Sequence, residues 1–391
     1  MLPRSPTPPM TRTAPRPDWD IFCQVVDNFG DIGVSWRLAR QLHAEHHLRV
    51  RLWVDNLATF QILCPQVAPD RTSQRLAGIE LRHWSDPFPE VQPAQVVLET
   101  FACRLPDAFV TRMARLASAP AWINLDYLSA ETWVPGCHTL PSPHPRLPLC
   151  KYFYFPGFRN ETGGLLRERD LPERRRAFLS GTARQHRFWQ PFGGPPAAET
   201  LRVSLFAYDN PALPDLLRIW ERAARPVCCL VPATRHLTTL GTYVGQTLAV
   251  GDRLRRGALE IRVLPFLDHR QYDRLLWACE LNFVRGEDSF IRAQWAARPL
   301  VWQPYPQDDG AHLIKLDAFL ALYCAGQPAA SGAVIRAFWQ SWNNGALEPG
   351  QWQAFSDALP ALRAHAERWE ATLRQQPDLA TQLVRFSRSG I

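Results

Sequence analysis

Hydrophobic and polar positions along the chain change period repeatedly. Short apolar runs bounded by turn residues alternate with stretches in which apolar residues return every three or four positions, so strands alternate with helices. The first such unit is WDIFCQVVDNFGDIGVSWRLARQL, from Trp19 to Leu42. A buried strand through Ile21, Phe22, Val25 and Val26 leads through a polar turn into an amphipathic helix. That helix sets Ile32, Trp36 and Leu38 or Ala39 on its apolar side and leaves Arg37 and Arg40 free to face water. Further strands are expected at 49–54, 79–84, 96–99 and 121–125, with helices near 57–63 and 106–117. This spacing implies βαβ units and a parallel sheet.

Residues 126–158 interrupt the rhythm with a segment rich in proline and aromatics and poor in periodicity, and a long irregular stretch of this kind is usually functional. From Thr200 the alternation resumes. LRVSLFAYDN, PVCCLVPA, LEIRVLPFL, LNFVRG and LVWQPYP read as strands, with helices at 212–224, 271–279 and 287–297. Helices at 312–325, 333–342 and from 352 onward follow. The expected organisation is an extension over 1–18, a Rossmann-like domain over 19–165 and a linker over 166–190. A second Rossmann-like domain covers 191–350, and C-terminal helices cover 351–391.

Composition narrows the class. At 391 residues the chain can hold two domains of about 100–200 residues each. A hydrophobic fraction of 46% and a charged fraction of 21% describe a globular protein. No apolar run approaches the ~20 residues a spanning helix needs. The proline-rich, basic first residues lack the apolar core of a secretory signal and read as a disordered extension. Nine cysteines without a C-x-x-C pair argue against zinc and fit reduced thiols in a cytoplasmic protein. The net charge of +7 comes largely from the extension and from the run RERDLPERRR, which reads as a solvated connector. It lacks the aromatic interleaving of single-strand binders, so a nucleic-acid partner is not expected.

Two stretches carry candidate chemistry. In the turn after the first strand, Asp27 and Asp31 flank Asn28, Phe29 and Gly30. In an open α/β sheet this is where ligands bind, and two carboxylates with no base between them suit a cationic substrate or general-base work. A helix N-cap plus a turn aspartate is the ordinary alternative. The second stretch is LNFVRGEDSFIRAQW. Its strand ends at Val284, Gly286 makes the turn, and Asp288 or Ser289 opens a helix whose free N–H groups form an anion site. Arg285 stands ready to pair with a phosphate. Glu287 beside a phosphate is repulsive unless it binds sugar hydroxyls or is held by Arg285, which favours a nucleotide-sugar over a bare nucleotide. The turn is neither a P-loop nor a G-x-G-x-x-G fingerprint, and a simply capped helix is its ordinary reading. Phe206, Tyr208 and Tyr272 fall where strand ends converge and suit stacking on a base or sugar; ordinary core is the alternative. His138 and His144 are weaker candidates.

The chain resembles the elongation factor P arginine rhamnosyltransferase (EarP) family from Trp19 to about Tyr305. The resemblance rests on WDIFCQVVDNFGDIGVSWRLARQL, INLDYLSAETWVPGCHTLPSPHPRLPLCKYFYFPGF, SLFAYDN and LLWACELNFVRGEDSFIRAQWAARPLVW. It implies an α/β fold of two facing Rossmann-like domains, the GT-B type, and an inverting enzyme that moves L-rhamnose from dTDP-β-L-rhamnose onto an arginine of elongation factor P. The C-terminal domain would hold the donor and the N-terminal domain the acceptor. Carried over by position, Asp31 matches the general base, Asp27 the acceptor-orienting acid and Glu287 the essential glutamate of the donor site. Arg285, Asp288 and Ser289 match residues around the ribose and diphosphate; Phe206, Tyr208 and Tyr272 match the aromatic wall. His269 stands where the family often has glutamine. A metal-free route and no cofactor beyond the co-substrate are expected. A nucleotide-sugar-binding protein without transferase chemistry is the alternative.

Overall fold

A computed structural model describes residues 17–27, 29–233 and 237–391. Residues 1–16 of the expected extension, and Asn28 in the first turn, lie outside the described residues. Pro17 and Asp18 are described, and Asp18 belongs to the fold: its carboxylate accepts from the Arg49 side chain at 2.7 Å.

The first sheet comprises β1 (Trp19–Cys23), β2 (Val50–Val54), β3 (Ser73–Leu76), β4 (Ile79–His83), β5 (Val96–Thr100), β6 (Ala121–Leu125), β7 (Pro141–Pro143) and β8 (Cys150–Tyr154). Its strand order is β3-β4-β2-β1-β5-β6-β8-β7, and only the edge strands β3 and β7 run antiparallel. Helices α1 (Gly30–His46), α2 (Leu57–Leu63), α3 (Asp107–Ala114) and the single turn α4 (Val134–Cys137) connect it. Next come α5 (Leu171–Ser180) and α6 (Thr182–Trp189). The second sheet holds β9 (Leu201–Leu205), β10 (Val227–Pro232), β11 (Arg253–Arg256), β12 (Leu259–Leu264), β13 (Leu281–Arg285) and β14 (Leu300–Gln303). Its order is β11-β12-β10-β9-β13-β14, with β11 antiparallel. Around it lie α7 (Leu213–Glu221), α8 (Leu237–Val244), α9 (His269–Ala278), α10 (Asp288–Ala296), α11 (Ala311–Tyr323), α12 (Ala329–Asn344), α13 (Pro349–Leu373) and α14 (Leu379–Ser387).

The central strands are apolar because helices cover both sheet faces; every residue of β1, β2, β5 and β10 is buried. In each sheet the strand order reverses beside the first strand, between β1 and β5 and between β9 and β13. Open α/β sheets bind ligands at such switch points. The turns after β1, β9 and β13 are the ones that carry Asp27, Tyr208 and Gly286.

Several expectations need correction. The first strand stops at Cys23; Val25 donates its N–H to Asp55 and Val26 donates to Asp31, so the chain leaves the sheet early and Val26 is 63% exposed. Arg37 does not face water: it is 3% exposed and ion-paired. Residues 126–158 are less irregular than their composition suggests, since β8 extends the sheet beside β6. The arginine-rich connector is helical and partly buried, with Glu168 paired to Arg292 at 2.8 Å. The C-terminal helices pack back on the rest of the chain. The last of them returns to the first sheet's side, where Leu379 N–H donates to the Leu165 carbonyl and Gln41 donates to Asp378. Among the described residues no helix is long and apolar enough to cross a membrane, and all nine cysteines are unpaired.

Within β1, Asp20 is fully buried. Its carboxylate takes Arg51 Nε at 2.6 Å and Nη2 at 2.8 Å, Trp53 Nε1 at 3.0 Å and the Ala94 N–H at 2.8 Å. This knot ties the strand that presents the first turn to its neighbours. Removing one partner of such a pair leaves a buried charge uncompensated. Asp20→Ala is therefore expected to lower unfolding free energy by about 3–5 kcal/mol, measurable by urea denaturation.

Candidate active site between the two sheets

The turn after β1 is shaped by its own carboxylates. Asp31 lies in the first turn of α1, and its Oδ2 accepts the N–H groups of Val26 and Asp27, both at 2.8 Å. It is not the N-cap: that position is Phe29, which makes no side-chain cap bond. Asp31 is only 2% exposed. Burial pushes its carboxyl up to about 6, against the pull of the two N–H donors. Asp27 crosses to the other sheet, where its Oδ2 accepts the Tyr208 hydroxyl at 2.6 Å. Burial raises Asp27 as well, while Tyr208 and Arg285 oppose the shift.

The turn after β13 meets it from the opposite side. Gly286 has φ of +56°, and a methyl group there would lie 2.6 Å from both Asp27 Oδ2 and the Tyr208 hydroxyl. Only glycine suits that backbone and that approach. Trp302 Nε1 donates to the Gly286 carbonyl at 2.8 Å, and the Trp302 ring stacks on Phe290 at 3.9 Å. Glu287 reaches back across the gap: its Oε2 accepts the Leu128 N–H at 2.9 Å, while Oε1 has no partner among the described residues. Burial pushes the Glu287 carboxyl up to about 8, opposed by that N–H and by Lys315.

Two adjoining cavities result. One is lined by Asp27, Asp31, Tyr127, Glu287, Tyr305 and Lys315 among others. The other brings together Phe206, Tyr208, His269, Tyr272, Arg285, Asp288 and Ser289, again with Asp27. Asp27 is the shared wall. All ten residues expected from the sequence thus line one of two adjoining spaces. Their contacts refine what each can do. Arg285 lies with its guanidinium 4.4 Å from the Phe206 ring centroid and 4.7 Å from that of Tyr208, and its Nη1 donates to the Ala207 carbonyl. The Ser289 hydroxyl is held by Arg285 on both sides, accepting from its N–H and donating to its carbonyl, so it shapes the turn. Asp288 accepts Arg37 Nε at 2.8 Å. Tyr272 packs against Phe206 at 5.6 Å. Burial drives His269 well below the usual imidazole range, and both its ring nitrogens lack a partner among the described residues.

Sequence reasoning missed the residues whose role depends on the far side of the gap. Lys315 sits 5.3 Å from the Tyr127 ring, and Phe29 packs on Phe266 at 4.7 Å. The two histidines of the proline-rich segment are structural. His138 Nδ1 accepts the Phe155 N–H, and His144 Nδ1 accepts from Arg146 and Leu147. Among the described residues no group of three or more His, Cys, Asp or Glu is arranged to hold a metal ion.

Two facing Rossmann-like sheets with a cleft at their switch points define the GT-B-type glycosyltransferase fold. A UDP-glucosyltransferase from Polygonum tinctorium shares that fold, with a TM-score of 0.53 at 10% identity over 96% of this chain and 99% of that one. A nearer likeness is the solved structure reported as "Structural basis for EarP-mediated arginine glycosylation of translation elongation factor EF-P". It superposes with a TM-score of 0.69 at 37% identity, covering 95% of this chain and 99% of that chain. The profile of the family described as Elongation-Factor P (EF-P) rhamnosyltransferase EarP matches residues 19–388. A protein-arginine rhamnosyltransferase of Pseudomonas aeruginosa is 50% identical over 369 residues, 94% of this chain and 98% of the relative. That of Neisseria meningitidis is 36% identical over 378 residues, 94% and 96% of the two chains. The chain belongs to the EarP family.

The close approach at position 286 gives a direct check on this geometry. Gly286→Ala must force Asp27 and Tyr208 aside and hold alanine in a left-handed conformation, with an expected stability loss of about 1–3 kcal/mol. Thermal unfolding of the variant beside the parent protein measures it.

Proposed function

We propose that the protein transfers L-rhamnose from dTDP-β-L-rhamnose to an arginine side chain of elongation factor P, with inversion and without a metal. The observation that carries the reading is the pairing of cavities: Asp31 and Glu287, from opposite sheets, open on one space that adjoins the aromatic and arginine-lined pocket. Membership of the EarP family and the protein-arginine rhamnosyltransferase activity of its relatives support rhamnose transfer to an arginine of elongation factor P. Nine unpaired thiols agree with a cytoplasmic setting.

The chemistry follows from charge. A guanidinium is a poor nucleophile because it stays protonated, with a pKa above ~12. An acidic cavity attracts that cation, and a carboxylate at its floor can take the proton as the new bond forms. In the proposed step a guanidine nitrogen attacks the anomeric carbon of rhamnose opposite the diphosphate. The carbon–oxygen bond to dTDP breaks, and the nitrogen's proton passes to Asp31. Asp27 orients the incoming guanidinium. Charge growing on the leaving diphosphate is met by Arg285 and by the free N–H groups at the start of α10. The rings of Phe206 and Tyr272 suit the thymine face. Neutral His269 offers one donor and one acceptor to the base edge. A binder without chemistry would gain nothing from buried acids across the gap.

Intact-mass and fragment spectra of elongation factor P, incubated with this protein and dTDP-rhamnose, test the reading; one deoxyhexosyl residue on arginine is expected, and an unchanged factor would reject it. Asp31→Asn should lower kcat by about 10²–10⁴ while dTDP affinity by calorimetry stays unchanged. Asp31 must be ionised to act, so kcat/KM should fall as pH drops through about 6, well above the range where an unshifted aspartate protonates. Turnover should also persist in excess chelator; a loss restored by a divalent cation would refute the metal-free route.

A further inference from the structure

Beside the nucleotide pocket lies a cluster of six charged side chains, of which Arg37, Asp273 and Arg292 are buried. Arg37 of α1 donates Nε to Asp288 Oδ1 at 2.8 Å, and its Nη atoms lie 3.5 Å from Glu168 and 3.6 Å from Asp273. Arg292 grips Asp273 with two bonds of 2.8 Å and reaches Glu168 at 2.8 Å. Arg174 stands 3.5 Å from Glu168 and 3.7 Å from Asp273. Three guanidinium groups thus face three carboxylates. Arg37 is the member that comes from the first sheet's side.

Its geometry is specific. Asp288 lines the nucleotide pocket, and Arg37 is the cation hydrogen-bonded to it. One helical turn before Arg37, a methyl group at Gly33 would lie 3.3 Å from Asp288 Cβ and Cγ. The Asp288 side chain therefore seats against the bare backbone at position 33 with the guanidinium one turn further along. Arg37 also lies six residues after Asp31 on the same continuous helix. A single contact thereby fixes the helix that carries Asp31 to the start of the helix that follows Glu287.

We propose that Arg37 is a positioning residue that makes donor binding depend on the first domain, by neutralising Asp288 beside the diphosphate and anchoring α1 against the donor cradle. This rests on the donor reading of that pocket. Without Arg37, three carboxylates share two arginines, and the Asp288 charge is left to repel the diphosphate. A lysine keeps one charge but cannot span three carboxylates with a planar fork.

Titration calorimetry of the full chain with dTDP tests this, using the parent, Arg37→Lys, Arg37→Gln, Asp288→Asn and the double variant Arg37→Gln/Asp288→Asn. Both single Arg37 variants should bind dTDP about tenfold or more weakly, the scale for truncating a buried charge pair. The double variant should return to the affinity of Asp288→Asn alone, because the charge that Arg37 answers is gone. Thermal melts separate a packing role, which would lower the melting temperature and leave dTDP affinity untouched. Should Arg37→Gln fail to fold, Arg37→Lys decides. Failure of the parent to bind dTDP would overturn the donor reading and this inference with it. Normal binding by the parent and by the folded Arg37 variants would overturn this inference alone.

Discussion

Four carboxylates meet where the two sheets face each other, and their mutual repulsion is the constraint the rest of the structure has to satisfy. Asp31 is answered within its own turn, by two backbone N–H groups. The other three are answered from across the gap. Asp27 of the first side takes its hydrogen bond from Tyr208 of the second. Glu287 and Asp288 of the second side take theirs from Leu128 and Arg37 of the first. For these three the pairing is crossed, each taking its hydrogen bond from the opposite half. Each contact is worth only about 0.5–3 kcal/mol net, since water would satisfy the same groups in an opened cleft. Together they hold the halves in one register, and they do so at the atoms that line the cavities.

That crossed pairing explains why glycine stands at two points of nearest approach. At position 286 a side chain would strike Asp27 and Tyr208; at position 33 it would crowd Asp288. Backbone takes the place of side chains where the halves touch, leaving side chains to line the spaces between contacts. Donors already aimed at the site need no rearrangement when charge develops there, which is the condition for electrostatic stabilisation to be effective.

Much of this was legible in the chain. The strand–turn–helix units at Trp19 and Leu281 stand out by period, and their acidic and glycine residues fall where α/β sheets bind ligands. What could not be read locally was anything decided by the opposite half. Arg37 sits on the polar side of its own helix by periodicity, so it reads as solvated; it is buried because that side meets the second domain. Lys315 and Leu128 carry no motif, since one contributes charge from a helix and the other only a backbone N–H. Val26 reads as strand by its type, yet it is turned out because its N–H belongs to Asp31. Edge strands such as β3 and β11 are short and polar, with half or more of their residues exposed or nearly so, and so lack the apolar signature of the interior strands.

The sequence raised one puzzle that the electrostatics resolve. A glutamate next to a diphosphate site is unfavourable if ionised. Burial pushes both carboxyls up, Glu287 to about 8 and Asp31 to about 6; two N–H donors oppose the shift at Asp31, and one N–H and Lys315 oppose it at Glu287. The environment thus makes Asp31 the more readily ionised of two carboxyls of similar intrinsic acidity. On the proposed donor reading, a Glu287 that keeps its proton does not repel the diphosphate, and its Oε1, without a partner among the described residues, can give or receive a hydrogen bond with a sugar hydroxyl. Asp31, the more readily ionised of the two, is the better suited to the proposed role of base, and Glu287 to the proposed role facing the sugar.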